Sequence, residues 1–300
     1  MYDPFPPARL PFRKRRPKLF FFLILLPILL LGWIALTVWA VLDAKGVFSG
    51  PRLGEVSVEG FIGDAAKSVA WIEKMRKNAS VAGVLVRIDS PGGAVAPSQE
   101  IHAALKRLAA VKPVVISMGS VAASGGYYIA VAGKEIFANP STLTGSIGVR
   151  LQLTNVQGLM ERIGIASESL TTGRFKASGS PFRELTPEER AYLQTILDDM
   201  QEEFVAAVVA GRGIPREAVM PYTDGRAITG RQAVQAKLVD TLGDRQAALT
   251  RLAAICGIKG EPEILAEPEI SQPLWKRILQ TALDIGVEAS AEPVRYQFVY

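Results

Sequence analysis

Cysteine and histidine are almost absent from this 300-residue chain; each occurs once, as Cys256 and His102. A lone cysteine excludes an internal disulfide framework and any multi-cysteine metal site. A lone histidine argues against a His-based metal centre and obliges any Ser-His-Asp triad to use that one imidazole. Other signatures are missing too. There is no G-x-x-x-x-G-K-[ST] phosphate loop, no H-E-x-x-H, no G-x-S-x-G elbow, no S-x-x-K and no internal repeat. No metal and no cofactor is expected.

Charge of one sign is also scarce once it is located. The net charge is +5, and residues 1–18 hold all of it: Arg9, Arg13, Lys14, Arg15, Arg16 and Lys18 against Asp3. The remainder, 19–300, has 28 basic and 28 acidic side chains. A pI near 9.3 therefore describes a short arm and not a basic domain. Nucleic acid is not an expected partner, since its binding needs a basic patch on a folded surface.

What is present first is a long apolar run. Leu19 to Leu42 is 24 positions without a charge. At ~1.5 Å per residue it spans about 36 Å, enough for a ~30 Å hydrocarbon core. Pro27 is tolerable in such a helix, and Trp33 and Trp39 lie toward its distal end, as interfacial anchors do. The competing reading is a cleavable signal peptide, whose apolar region is shorter (~7–15 residues) and is followed by a small-x-small site not seen before Asp43. The expectation is a retained single-pass anchor (19–42) in the cytoplasmic membrane. The basic arm (1–18) lies in the cytoplasm and everything from about Asp43 lies outside.

Residues 43–54 read as a linker. From Glu55 the chain alternates strand and helix patterns. EVSVEGFI (55–62) is a strand, and Asp64 caps a helix through Asn78 that carries Val69, Ile72 and Met75. VAGVLVRID (81–89) is a buried strand and DSPGG (89–93) a tight turn. Pro97 to Ala110 is a helix, KPVVISMG (112–119) a strand, Ser124 to Ala132 a short helix and EIFAN (135–139) a strand. Thr186, Pro187 and Glu189 open a helix that presents Leu193, Ile196, Leu197, Met200 and Phe204 and ends near Gly211–Gly213. The alternation predicts an α/β fold with helices on a largely parallel sheet. The stretch 259–300 is read as a tail: Pro- and Glu-rich, then amphipathic over Trp275, Ile278, Leu279, Ala282 and Leu283. It is a loose tail or subunit contact, with an interfacial membrane helix as the alternative.

Two glycine-rich segments invite chemistry. In Asp89-Ser90-Pro91-Gly92-Gly93, backbone N–H groups can face an anion with no Cβ in the way. In GSVAASGGYYIA (119–130), Ser124 stands where a strand meets a helix and precedes Gly125 and Gly126. A serine there is placed for attack, with neighbouring N–H groups to hold an oxyanion. Taken alone, Gly-Gly after a strand is more often plain turn chemistry, and a serine before glycines is more often an N-cap.

Together, DSPGG, GSVAASGGYYIA, NPSTLTGSIGV (139–149) and TTGRFKASGSPFRELTPEER (171–190) resemble, in order and spacing, the bacterial signal peptide peptidase A family. These are membrane-anchored Ser-Lys proteases with a fold similar to Clp-type proteases and crotonases. The likeness covers about 55–250 and fits the short, single-repeat members. It implies a peptidase domain over 55–258. It also implies Ser124 as nucleophile, Lys176 as general base and Ser146 as the hydroxyl that orients the lysine. The N–H groups of Gly93 and Gly125 would form the oxyanion hole. It implies signal peptides and other apolar membrane-proximal peptides as substrates. The chains would assemble as a homo-oligomeric ring or dome, with serine and lysine able to come from adjacent subunits.

A lysine base must be neutral, which burial away from carboxylates favours. Phe175 and Phe182 flank Lys176, and no acid lies between Glu168 and Glu184. Lys134, the rival lysine, is read as exposed before a strand. His102 is read as a surface or partly packed residue. Tyr127 and Tyr128 are read as helix packing, with groove lining open to one of them. A crotonase-like acyl-CoA enzyme and a non-catalytic scaffold remain the rival readings.

Overall fold

The computed structural model describes residues 17–44 and 51–267. Residues 1–16, part of the expected linker and the amphipathic tail stretch lie outside the described residues. Helix α1 (Pro17–Ala44) runs unbroken through Pro27, and within it Phe21–Val41 is long and apolar enough to cross a membrane.

The rest is an eight-stranded sheet among the described residues, with helices between strands. The order along the chain is β1 (Arg52–Ile62), α2 (Ala66–Lys77), β2 (Val81–Gly93), α3 (Val95–Ala109), β3 (Val114–Ala123) and α4 (Gly125–Ala130). There follow β4 (Glu135–Ala138), β5 (Leu143–Gly145), α5 (Gln157–Arg162), α6 (Pro187–Arg212) and α7 (Arg216–Val219). The chain closes with β6 (Ala227–Thr229), α8 (Gly230–Gln235), β7 (Thr241–Leu242), α9 (Arg245–Ile255) and β8 (Ile264–Leu265). The central path is β6-β5-β3-β2-β1-β8, with β4 and β7 branching from β3. Every pairing is parallel except β5 with β6.

Central strands of a parallel sheet are covered on both faces, so alternate residues serve two cores. Val84, Val86 and Ile88 of β2 join the larger core under α2, α3 and α4. Leu85, with Leu53, Val115 and Phe137, meets Ala248, Leu249, Leu252 and Ala253 of α9 on the other face. Each such apolar side chain contributes roughly 1.5–3 kcal/mol.

The expected α/β alternation is what forms, with three local corrections. DSPGG is not a tight turn. It continues β2, with Phe61 paired to Gly92 and Ile62 to Gly93, and Gly92 (φ +99°) supplies the irregularity. Asp64 does not cap α2; Ala65 stands at the N-cap without a side-chain hydrogen bond. The linker and tail boundaries move as well. Arg52 already belongs to β1, and β8, inside the expected tail, pairs with Leu53 and Gly54 because that edge of β1 is otherwise open. The opening of α6 is as expected: Thr186 Oγ1 accepts from the Glu189 N–H (3.2 Å), Glu189 Oε2 accepts from the Thr186 N–H (3.1 Å), and Gly213 closes it at φ +62°.

β3 has two consecutive partners on one side. Val115–Ser117 pairs with β4, and Val121–Ala123 pairs with β5. Between these halves the register with β2 slips, and Asp89 Oδ1 fills the gap by accepting from the Val121 N–H (3.0 Å). Asp89 is therefore a structural residue. Buried Thr142 and Thr144 fasten the second half, donating to the carbonyls of Gly119 and Ala122 (2.7 Å each).

Candidate active site

The site lies where β2, β3 and β5 end. Ser124 directly follows β3 and has φ +52°, ψ −120°, a conformation that costs a non-glycine residue of order 1–3 kcal/mol. Two hydrogen bonds hold it there. Its N–H donates to Gly145 C=O (2.9 Å), and its C=O accepts from the Tyr128 N–H (2.9 Å). The strand–serine–helix corner thus has an elbow geometry without the G-x-S-x-G spelling. Gly125 is the first residue of α4, and a helix leaves its first N–H groups without intrahelical partners. With only six residues α4 supplies little dipole.

Two glycines let the backbones close around the serine. A Cβ on Gly92 would lie 2.7 Å from Gly125 N and 2.9 Å from Ser124 Cβ. A Cβ on Gly126 would lie 2.9 Å from Ser90 C=O. Ser90 steadies the end of β2, donating to Gly60 C=O (2.6 Å) and accepting from the Gly92 N–H (3.1 Å). Gly93, Ser124 and Gly125 line one pocket, whose wall is Val95, Tyr128, Val149, Met200 and Phe204. This apolar pocket beside a hydroxyl is suited to an apolar side chain of a bound peptide.

Ser146 follows β5 as Ser124 follows β3. Ala123 and Gly145 are register partners, so the two serines are neighbours, and Ser146 also has positive φ (+51°). Its N–H donates to Arg226 C=O (2.9 Å).

Lys176 is placed differently. It is exposed, on a turn-rich segment, and is not among the residues lining the Ser124 pocket. Phe175 does not shield it: its ring stacks on Tyr192 (4.5 Å) under the Arg174 guanidinium (5.0 Å). Phe182 is 45 % exposed. The expected drying of the amine is therefore not supplied within one chain. The segment itself is clasped. Buried Glu189 accepts from Arg183 and from Ser178 Oγ (3.3 Å), and Arg183 also donates to Ala177 C=O (3.1 Å). Arg183 holds the Glu189 carboxyl down to about 2. The neighbouring acid Glu188 is paired with Arg174. The sequence marks Glu189 as a capping residue; its grip on the segment that carries Lys176 appears only in three dimensions.

His102 stands behind the pocket wall, its ring edge-on to Tyr128 (4.9 Å), with Nε2 buried and without a hydrogen-bond partner among the described residues. Burial, then Lys106, lowers its pKa to about 4. It does not line the pocket. Tyr127 is fully buried and donates to Leu238 C=O (2.8 Å), while Tyr128 is the one that lines the site. Lys134 is exposed just before β4. The pocket side chains Met200 and Phe204 had only a helical-spacing signal, which cannot separate core from pocket.

Residues 106–259 match peptidase family S49. A Synechocystis protein to which a protease role is ascribed is 39 % identical over 78 % of this chain and 87 % of its own length. Protease 4 of Salmonella typhi is 35 % identical over 73 % of this chain and 35 % of its own length. An Enterococcus faecium protein ascribed the role of signal peptide peptidase A is 34 % identical over 68 % of this chain and 63 % of its own length.

Proposed function

This chain belongs to peptidase family S49, of the signal peptide peptidase A type, and from that premise we propose that it cuts peptides with Ser124 and Lys176. It is a serine protease on a Clp-protease/crotonase-like α/β fold. The observation that carries the assignment of Ser124 is its positive φ at the corner between β3 and α4, facing the pocket with Gly93 and Gly125.

In the proposed reaction neutral Lys176 Nζ takes the Ser124 Oγ proton as Oγ bonds to the scissile carbonyl carbon. The oxyanion rests on the N–H groups of Gly93 and Gly125. The ammonium then returns the proton to the leaving nitrogen as the C–N bond breaks. Lys176 next takes a proton from water, whose oxygen attacks the acyl ester. The C–Oγ bond breaks, Ser124 recovers the proton, and a carboxylic acid is released. Ser146, beside Ser124 at the end of the paired strand, orients the lysine amine.

Because Lys176 is exposed and lies off the pocket, its partner serine is assigned to an adjacent copy of the chain in a ring or dome. Leu151, Leu159, Ile163 and Leu170, all exposed on the same long segment, give such a contact apolar area to cover. Helix α1 is assigned as a retained anchor, with the peptidase domain outside the cytoplasmic membrane. Apolar membrane-proximal peptides, released signal peptides among them, are the assigned substrates, since tethering raises their effective concentration. The experiment is acylation of the full chain by a fluorophosphonate probe, followed by a peptide digest read by mass spectrometry. Labelling that survives Ser124→Ala overturns the assignment.

A further inference from the structure

Basic and acidic side chains nearly balance over residues 51–267, but they are unevenly placed. The sheet is parallel, so β1, β2 and β3 all begin at one end, and α2, α3 and α9 all finish there. Lys77 lies in the last turn of α2 and Lys106 in that of α3; Lys134 immediately precedes β4, and Lys259 lies between α9 and β8. All four are exposed, and none is in an ion pair among the described residues. Arg76 and Arg107 share one carboxylate, Glu73 (2.7 and 3.0 Å), leaving a further positive charge in excess. Arg52 with Glu263 (2.9 Å) and Arg251 with Glu135 (2.6 Å) are neutral pairs. Asp240, beside the start of β4, is paired with Arg212 (2.5 Å), and Glu261 is a further acid between α9 and β8. Lys112 ties this end together, donating to the carbonyls of Met75 (2.7 Å) and Asn78 (2.5 Å). Val111, 61 % exposed, stands beside Lys112 and Lys134 around one shallow depression.

Last-turn lysines suit a helix dipole, which accounts for Lys77 and Lys106. It does not account for Lys134 and Lys259, which stand on loops. A second observation concerns the tether. Helix α1 ends at Ala44 and β1 begins at Arg52, a separation that a chain bridges over at most about 28 Å. From Arg52, β1 leads away for 11 residues, about 35 Å, to Ile62 beside Gly93. The positive end is thus the end held near the bilayer, and Ser124 is at the other.

We infer that this basic end docks on anionic lipid headgroups of the leaflet from which α1 emerges, and so holds the Ser124 pocket a sheet's length above the surface. The inference rests on the reading of α1 as a retained anchor. Each lysine brought within about a Debye length of an anionic leaflet raises the docked population roughly fivefold.

The test uses the full chain in lipid nanodiscs. In a Cys256→Ala background, Val111→Cys carries a donor fluorophore, and a headgroup-labelled lipid is the acceptor. Transfer is expected to be several-fold stronger in phosphatidylcholine mixed with phosphatidylglycerol than in phosphatidylcholine alone. It should fall to the phosphatidylcholine level in high salt and in a Lys77→Glu, Lys134→Glu, Lys259→Glu variant whose thermal melting is unchanged. A donor at Phe61→Cys should stay distant in both lipids. Equal transfer from residue 111 in the two lipids, or indifference to charge reversal, overturns the docking while leaving the anchor intact. A chain that fails to float with phosphatidylcholine vesicles overturns the anchor and this orientation with it.

Discussion

The N–H of Ser124 donates to the carbonyl of Gly145, the residue before Ser146, at 2.9 Å. The two serines are thereby set side by side at the ends of paired parallel strands, each with positive φ (+52° and +51°). That pairing makes the behaviour of position 124 separable into a chemical part and a conformational part.

The chemical part is lost in Ser124→Ala. Peptide turnover should fall by about 10⁴-fold or more, with circular dichroism unchanged. The conformational part appears on comparing Ser124→Gly with Ser124→Ala. Glycine has no Cβ to strain at this φ, so the glycine variant should be the more stable by about 1 kcal/mol in urea unfolding. Equal midpoints would mean that the corner stores no strain.

Gly92→Ala tests the closeness of the two backbones. The new Cβ would meet Gly125 N at 2.7 Å on a residue whose φ is +99°. A loss of about 1–3 kcal/mol in stability and of fluorophosphonate labelling is expected. An active, fully stable variant would show that β2 and α4 do not crowd as described.

Lys176→Arg keeps a long nitrogen-bearing side chain but cannot serve as a base. Turnover should fall at least about 10³-fold while the melting temperature stays put, because the side chain is exposed. Mixing inactive Ser124→Ala chains with inactive Lys176→Arg chains should restore part of the activity if the two groups meet across subunits. A mixture as dead as its components would argue for a site built within one chain.

Glu189→Gln probes the clasp on the Lys176 segment. The Glu189 carboxyl is held down to about 2 from 4.5 by Arg183. Its contribution to stability is therefore full above about pH 5 and is lost as pH falls from 4.5 toward 2. The stability gap between wild type and Glu189→Gln should be flat at neutral pH and close through that acid window. A gap independent of pH would exclude the ion pair as its source.

His102→Phe removes the one imidazole. Since His102 lies behind Tyr128 and not in the pocket, labelling at Ser124 should persist within a few-fold. Its burial as the neutral form (pKa about 4) weakens the fold as pH falls from 6.5 toward 4, and the variant should lack that slope. Loss of labelling in a well-folded His102→Phe protein would reopen a histidine mechanism.

Much of this was legible in residues. β-branched runs alternating with helical spacing marked β1 to β4, and Thr186-Pro187-Glu189 marked the start of α6. The four motifs marked Ser124 and Ser146. What stayed hidden depends on distant partners. DSPGG has the composition of a turn, and only the neighbouring strand β1 makes it extended. Helix α9 was not anticipated because alanines fill much of its core face, blurring the period. The exposure of Lys176 was not legible either, since local apolar neighbours say nothing about whether those rings turn elsewhere.

The sharing of β3 between two short strands has one more consequence. The chain leaves β4 at Ala138 and enters β5 at Leu143, with the Asn139 N–H bonded to Thr142 Oγ1 (3.1 Å). Side chains alternate along a strand, so a one-residue slip of β5 against β3 would turn the Ser146 hydroxyl to the opposite side of the sheet. The four-residue crossing, tied to β3 through Thr142, thus acts as a stop that keeps the serine pair in register.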